Sequence, residues 1–171
     1  MIHIYYGDGK GKTTAAVGLA VRSAGRGNPV VMAQFLKNAD SGERPILSKL
    51  PGVTLLEIPE KMKFVFSMTE EEKRQESERQ TALFEKAVAL SELNGAGLLV
   101  LDELCSAIST GMIPMEQVTA FLDRRPPELE VVITGRDPHP ELQSRADYLT
   151  EMKKMKHPFD EGKPARKGVE W

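Results

Sequence analysis

The segment YYGDGKGKTTAA, residues 5–16, gathers the groups that hold a polyphosphate. Glycines let a backbone approach an anion closely, and a glycine loop that opens a helix presents free amides together with the positive end of the helix dipole. On this reading the amides of Gly9, Lys10, Gly11 and Lys12 form an anion-binding nest, and Gly7, Asp8 and Thr14 complete the phosphate-binding stretch. Lys12 adds a point charge and Thr13 a hydroxyl for magnesium. The usual phosphate-loop spacing places four residues between the first glycine and Gly-Lys-Thr. Here Gly7 and Gly11 enclose only Asp8, Gly9 and Lys10, so the ring of amides is smaller and a triphosphate is expected in a different pose.

A second stretch agrees with the first. GLLVLDEL, residues 97–104, reads as a buried strand that delivers Asp102 and Glu103 at its carboxyl end, where phosphate-loop proteins hold magnesium directly or through water. A glycine turn with incidental lysines, or a strand that merely ends in an acidic turn, explains either stretch alone but not both together. Phosphoryl transfer needs in addition a base or water-positioning group in line with the γ-phosphorus. No such group stands out: His3, His139 and His157 are scattered, and no arginine-finger pattern is evident. The short loop leaves open that the polyphosphate is a leaving group and that reaction takes place at the ribose end. A small-molecule kinase or NTPase is the alternative enzyme, and a noncatalytic ATP- or nucleic-acid-binding module of RecA-like shape the alternative without chemistry.

The elements that must position these groups are legible as short apolar runs with helical stretches between them. Ile2 to Tyr6, Pro29 to Phe35, Val53 to Ile58, Gly97 to Leu101 and Glu130 to Thr134 read as strands, with Tyr148 to Met152 as a sixth. Continuous Val/Ile/Leu runs alternating with helices signify an α/β fold whose mostly parallel sheet of five to six strands carries helices on both faces. Lys12 to Ala24 reads as a helix stopped by Gly25 and Gly27. Residues 69–93 read as the longest helix, with Thr69 and Glu72 as a capping box, and a further helix runs from Pro114 to Arg124. The segments 36–45 and 60–68 interrupt the alternation after strands, where open α/β sheets bind ligands.

The chain has 171 residues, 40% apolar and 28% charged, with a net charge of −2. That is the size of one domain, taken here as residues 1–171 with a tail, 153–171, that wraps the surface or covers a site. The charge balance provides no electrostatic footprint for nucleic acid, and no apolar run approaches the ~20 residues that span a bilayer. Neither membrane segment nor signal peptide is evident. The lone Cys105 suits a reducing cytosol and reads as a small buried hydrophobe rather than a nucleophile.

These blocks resemble, in order, those of the P-loop class of ATP:corrinoid adenosyltransferases. The loop is similar to the family's short GNGKGKTTAA, with Asp8 in place of asparagine. The likeness continues through RSAGRG (22–27), QFLK (34–37), SGERPIL (41–47), VLDEL (100–104), VVITGR (131–136), ADYLTEM (146–152) and KHPFDEG (156–162). Arg166 stands where glutamine is expected, and Phe66 where some members carry tryptophan. The resemblance implies a RecA-like P-loop fold and transfer of the adenosyl group of ATP to the cobalt(I) of a reduced corrinoid, with release of triphosphate and no need of a general base. It also implies magnesium, with manganese as a substitute, on Thr13 and Glu103 with Asp102 close by, and Lys12, Thr13 and Glu103 as the catalytic set. Phe64 and Phe66 correspond to the loop that displaces the lower cobalt ligand, although two aromatics at i and i+2 equally suit one face of a short core strand. Gln34, Lys37 and Arg136 are candidate contacts to nucleotide or corrinoid; a capped strand end and a solvated or salt-bridged surface residue are the alternatives. His157 either orients the tail or lines the ring site. A reductase or reduced flavin as electron donor, a homodimer and a cytoplasmic location complete what the resemblance implies.

Overall fold

The computed structural model describes residues 1–170. Its strands are β1 (Ile2–Tyr6), β2 (Val30–Gln34), β3 (Val53–Leu55), β4 (Leu98–Asp102), β5 (Glu130–Thr134) and β6 (Tyr148–Glu151). Its α-helices are α1 (Lys12–Ala24), α2 (Arg44–Leu47), α3 (Glu70–Leu93), α4 (Leu104–Ser109), α5 (Met115–Arg124) and α6 (Pro140–Gln143). The strands form one sheet in the order β3-β2-β4-β5-β1-β6, and every pairing is parallel. The loop-bearing strand β1 and the acidic strand β4 flank β5, as in a RecA-like P-loop fold. All carboxyl ends therefore face the same margin of the sheet, and the segments that leave them meet there.

Central strands β2 and β4 are buried along their whole length because helices cover both faces. Alternation decides which residue meets which layer. Val30, Met32, Leu98 and Val100 pack on one face with Ala16 and Ala20 of α1. Val31, Ala33, Leu99 and Leu101 pack on the other with Leu83, Phe84, Ala87 and Val88 of α3 and with Phe121 of α5. Small alanines let α1 lie close to the sheet, and each large side chain buried opposite contributes about 1.5–3 kcal/mol. Phe84 and Phe121 meet edge to face with centroids 5.9 Å apart.

Helix α3 starts at the expected capping box: Thr69 Oγ1 accepts from the Glu72 amide, and the Glu72 carboxylate accepts from the Thr69 amide. Several boundaries differ from the sequence reading, two of them for an evident local reason. Strand β3 stops at Leu55, since the Leu56 amide makes its last bond to β2 and Pro59 accepts from Ala39 in the adjoining loop. Pro114 caps α5 from outside in an extended conformation instead of occupying the first turn. No helix is long and apolar enough to cross a membrane among the described residues.

Candidate functional site

Gly11 precedes α1 with φ +115°, a conformation open to glycine. Among the described residues the amides of Lys10, Gly11 and Lys12 have no hydrogen-bond partner. Gly9 differs from the sequence expectation: its amide donates to the Met152 carbonyl at 2.7 Å, just past β6, and is not directed into the nest. The Gly7 amide likewise donates to the Arg136 carbonyl. The loop is thus pinned from behind by the segments following β5 and β6. Asp8 Oδ1 accepts from the Lys154 amide, which holds its carboxyl below the usual range.

Asp8, the 9–14 segment, Glu103, Arg136, His157 and tail residues Ala165, Val169 and Glu170 enclose a cavity of about 290 Å³. Lys12 donates to the Gly9 carbonyl at 2.7 Å. Burial pushes its pKa below the ordinary lysine value; the Glu103 charge opposes the shift and Arg136 adds to it. Tail residue Glu170 pairs with Arg166, whose guanidinium and amide hold the carboxyl down at about 2, with Lys10 contributing. His157 accepts from the Phe159 amide at 3.2 Å, so it caps the short turn Pro158–Glu161 while also lining the loop cavity.

Asp102, the last residue of β4, is 0% exposed and receives four donors. Thr13 and Thr134 hydroxyls reach Oδ1 at 2.8 and 2.7 Å; Lys37 and Gln34 reach Oδ2 at 2.6 and 3.2 Å. The Lys37 ammonium also donates to Thr13 Oγ1 at 3.2 Å. The register that sets Gln34 opposite Asp102 explains the Gln34 contact. Glu103 follows in the left-handed region, φ 62°, which swings its side chain out of the strand alternation. Its carboxylate accepts from Ser106, and its amide donates to Thr134 Oγ1.

Thr13, Asp102 and Glu103 carry oxygen atoms of the kind that could hold a hard divalent cation. Asp102, not Glu103, is the carboxylate hydrogen-bonded to Thr13. No group of three or more His, Cys, Asp or Glu side chains gathers to hold a metal among the described residues. The remaining positions in a magnesium shell would therefore fall to water and nucleotide phosphate.

A separate cavity of about 530 Å³ lies between the 60–68 segment and the chain leaving β2. Phe64 and Phe66 line it, 74% and 86% exposed, with their rings stacked at 5.4 Å and 12°. Val65 between them packs against the core. The core-strand alternative for the two aromatics is thereby excluded: a 3-10 turn, Val65–Ser67, sends both rings outward. Leu36 and Asn38 face this cavity, whereas Lys37 between them faces a 310 Å³ cavity with Lys10, Thr13, Thr14 and Glu43. The segment leaving β2 is a partition with a different ligand environment on each side.

This pairing of a short phosphate loop with an outward aromatic shelf accompanies a match to the family ATP:corrinoid adenosyltransferase BtuR/CobO/CobP over residues 1–171. The chain belongs to this family. It is similar to the corrinoid adenosyltransferase of Pseudomonas aeruginosa, 34% identical over 98% of this chain and 82% of that protein. It is also similar to that of Escherichia coli K12, 31% identical over 100% and 85%, and to that of Salmonella typhimurium, 32% identical over 100% and 85%.

Against the adenosyltransferase pattern, Gly7, Asp8, Gly9, Lys10, Gly11, Lys12, Thr13, Thr14, Asp102 and Glu103 all meet at the loop. Arg136 joins them in the wall of the loop cavity and does not line the aromatic cavity. Gln34 is buried with both ends of its amide engaged: its nitrogen donates to Asp102 and Glu43, and its oxygen accepts from Arg44. It therefore caps the strand end and is linked to the site through Asp102. The sequence reading missed Thr134, Glu43 and Arg44 as site residues. Thr134 shows only as a polar residue closing an apolar strand; Glu43 and Arg44 lie in the family block SGERPIL. Burial works against ionisation of Glu43, but bonds from its own amide, Ser41 and Gln34 and the Lys37 charge hold its carboxyl below the usual range.

Proposed function

We propose that this protein adenosylates corrinoids with ATP: the 5′-deoxyadenosyl group passes to the cobalt(I) of a reduced corrinoid, and triphosphate departs. The observation that carries this reading is the family match along the entire chain. Cobalt(I), the substrate nucleophile, attacks C5′; the new bond forms from the cobalt electron pair, and the C5′–O bond breaks with its pair leaving on the triphosphate. Negative charge grows on the bridging oxygen. The amides of Lys10, Gly11 and Lys12 and the Lys12 ammonium stabilise that charge as it develops, which lowers the barrier selectively.

Magnesium, held by Thr13 with Asp102 or Glu103, would supply further charge neutralisation on the phosphates. Asp102 keeps the Thr13 hydroxyl oriented, while Thr134 and Gln34 keep Asp102 in place. The stacked Phe64 and Phe66 offer an apolar shelf for the corrin face, where exclusion of an axial ligand favours reduction of cobalt(II). Lys37 and Arg136 serve the nucleotide side. Residues 1–171 act as one domain whose tail covers the phosphate site, a reading supported by Ala165, Val169 and Glu170 in the cavity wall. The enzyme works in the cytoplasm as a homodimer with a reductase or reduced flavin as electron donor, in keeping with the family resemblance.

The test is product identification. Purified protein with magnesium ATP and chemically reduced cobalamin should yield adenosylcobalamin and intact triphosphate. ADP and phosphate without a cobalt–carbon bond would move the protein to the kinase or NTPase class.

A further inference from the structure

The Lys37 ammonium lies between the two groups best suited to hold a divalent ion, 3.2 Å from Thr13 Oγ1 and 2.6 Å from Asp102 Oδ2. Thr13, Thr134 and Gln34 are neutral donors, so among the described residues that hydrogen-bond the buried Asp102 carboxylate it is Lys37 that brings a full positive charge, with Lys12 acting on it from farther off. A carboxylate withdrawn from water needs such a partner, and removal of the partner leaves an uncompensated charge. The backbone is shaped for this contact: Leu36 adopts φ 51°, an unfavourable value for a leucine, and the turn sends residue 37 back across the end of β2. Gln80 of α3, itself buried, accepts from the Leu36 amide and supports the turn.

A second carboxylate stands nearby. Glu43 Oε1 is 3.8 Å from the same ammonium, and both side chains line the 310 Å³ cavity beside Thr13 and Thr14. The lysine head group thus has an anionic partner to move to and space in which to move.

We propose that Lys37 is a resident counter-cation of the metal position: it neutralises Asp102 while the nucleotide site is empty, and the arriving metal–nucleotide displaces it toward Glu43. The proposal rests on the reading that Thr13 and Asp102 bind the metal of a metal–ATP complex. Its consequence is an order of loading. A free divalent ion has to expel a bound ammonium and finds few protein ligands, whereas an ion carried by ATP brings phosphate oxygens with it. Lys37 is therefore a positioning residue that suppresses occupation by metal alone.

Manganese is the probe, followed by electron paramagnetic resonance with and without ATP. Wild-type protein is expected to bind manganese–ATP but no free manganese in the same concentration range. Lys37→Met should bind one free manganese at least tenfold more tightly than wild type, and Lys37→Arg, which keeps the charge, should not. If Lys37→Met binds free manganese no better than wild type while wild type binds manganese–ATP normally, the counter-cation role is wrong and the adenosyltransferase reading survives. If wild type fails to bind manganese–ATP, both fall. Should Lys37→Met not fold, wild type alone still decides: free manganese bound as tightly as manganese–ATP overturns the proposal, and its exclusion supports it.

Discussion

The bond from Gly9 to Met152 makes one substitution quantitative. A Cβ at residue 9 would lie 2.5 Å from the Met152 carbonyl oxygen and 2.9 Å from its carbon, and these are backbone atoms without rotamers to yield. Ordinary contact begins at 3.4 Å, so the carbonyl has to retreat by about 0.9 Å. That retreat also lengthens the 2.7 Å hydrogen bond, to about 3.3 Å, and weakens it. Overpacking costs about 1–3 kcal/mol and the weakened bond up to about 1 kcal/mol, so Gly9→Ala should destabilise by about 1–4 kcal/mol. Because the displaced residues belong to the phosphate loop, KM for ATP should rise as well. Gly18→Ala is the control. Gly18 is exposed within α1 with nothing within 4 Å of an added Cβ, and helix propensity predicts a gain of about 0.5–1 kcal/mol. Urea unfolding of both variants gives the two signs directly. A Gly9→Ala protein as stable as wild type, with unchanged KM, would refute the claim that the post-β6 segment pins the loop.

Phe66→Ala removes a ring that is largely in solvent, so its stability should stay within about 0.5 kcal/mol of wild type. Activity should persist with prereduced corrinoid and fall when cobalt(II) is reduced on the protein; equal loss in both assays would remove the ligand-displacing role. For Lys12, a pKa lowered by burial means that the charged form is lost, as pH rises, before the ordinary lysine value of 10.5. The pH profile of kcat/KM for ATP should therefore show an alkaline limb below that value, abolished in Lys12→Arg; a limb at or above 10.5 would contradict the desolvation. Cys105 is buried, with its thiol pushed up to about 12 by burial and by Glu103. Iodoacetamide at pH 8 should leave it unmodified in the native protein and label it after unfolding; rapid native labelling would contradict the packing.

Legibility in the sequence followed the range of the interactions. Ile2–Tyr6 and Glu130–Thr134 are strands where expected, because a run of apolar and β-branched residues with turn residues at its border is a local signal. The α3 cap is equally local, a reciprocal bond across three residues. The loop and the acidic pair stand out because each is a short run of consecutive residues. What remained hidden depends on distant chain segments: Met152 taking the Gly9 amide, Thr134 bridging Asp102 and Glu103, and Glu43 and Arg44 closing around Gln34. None of these leaves a periodic trace. The direction of Phe64 and Phe66 was ambiguous for a related reason, since spacing by two fits an exposed turn as well as a strand, and the core contact of Val65 selects between them.

Glu103 carries its carboxylate on a left-handed backbone that a glycine would occupy with less strain. On the role proposed for Glu103, folding and chemistry make opposite demands on one position. Laboratory evolution selecting solely for heat tolerance should drift toward glycine or asparagine there, and such survivors would be sturdier proteins with a depleted phosphate site.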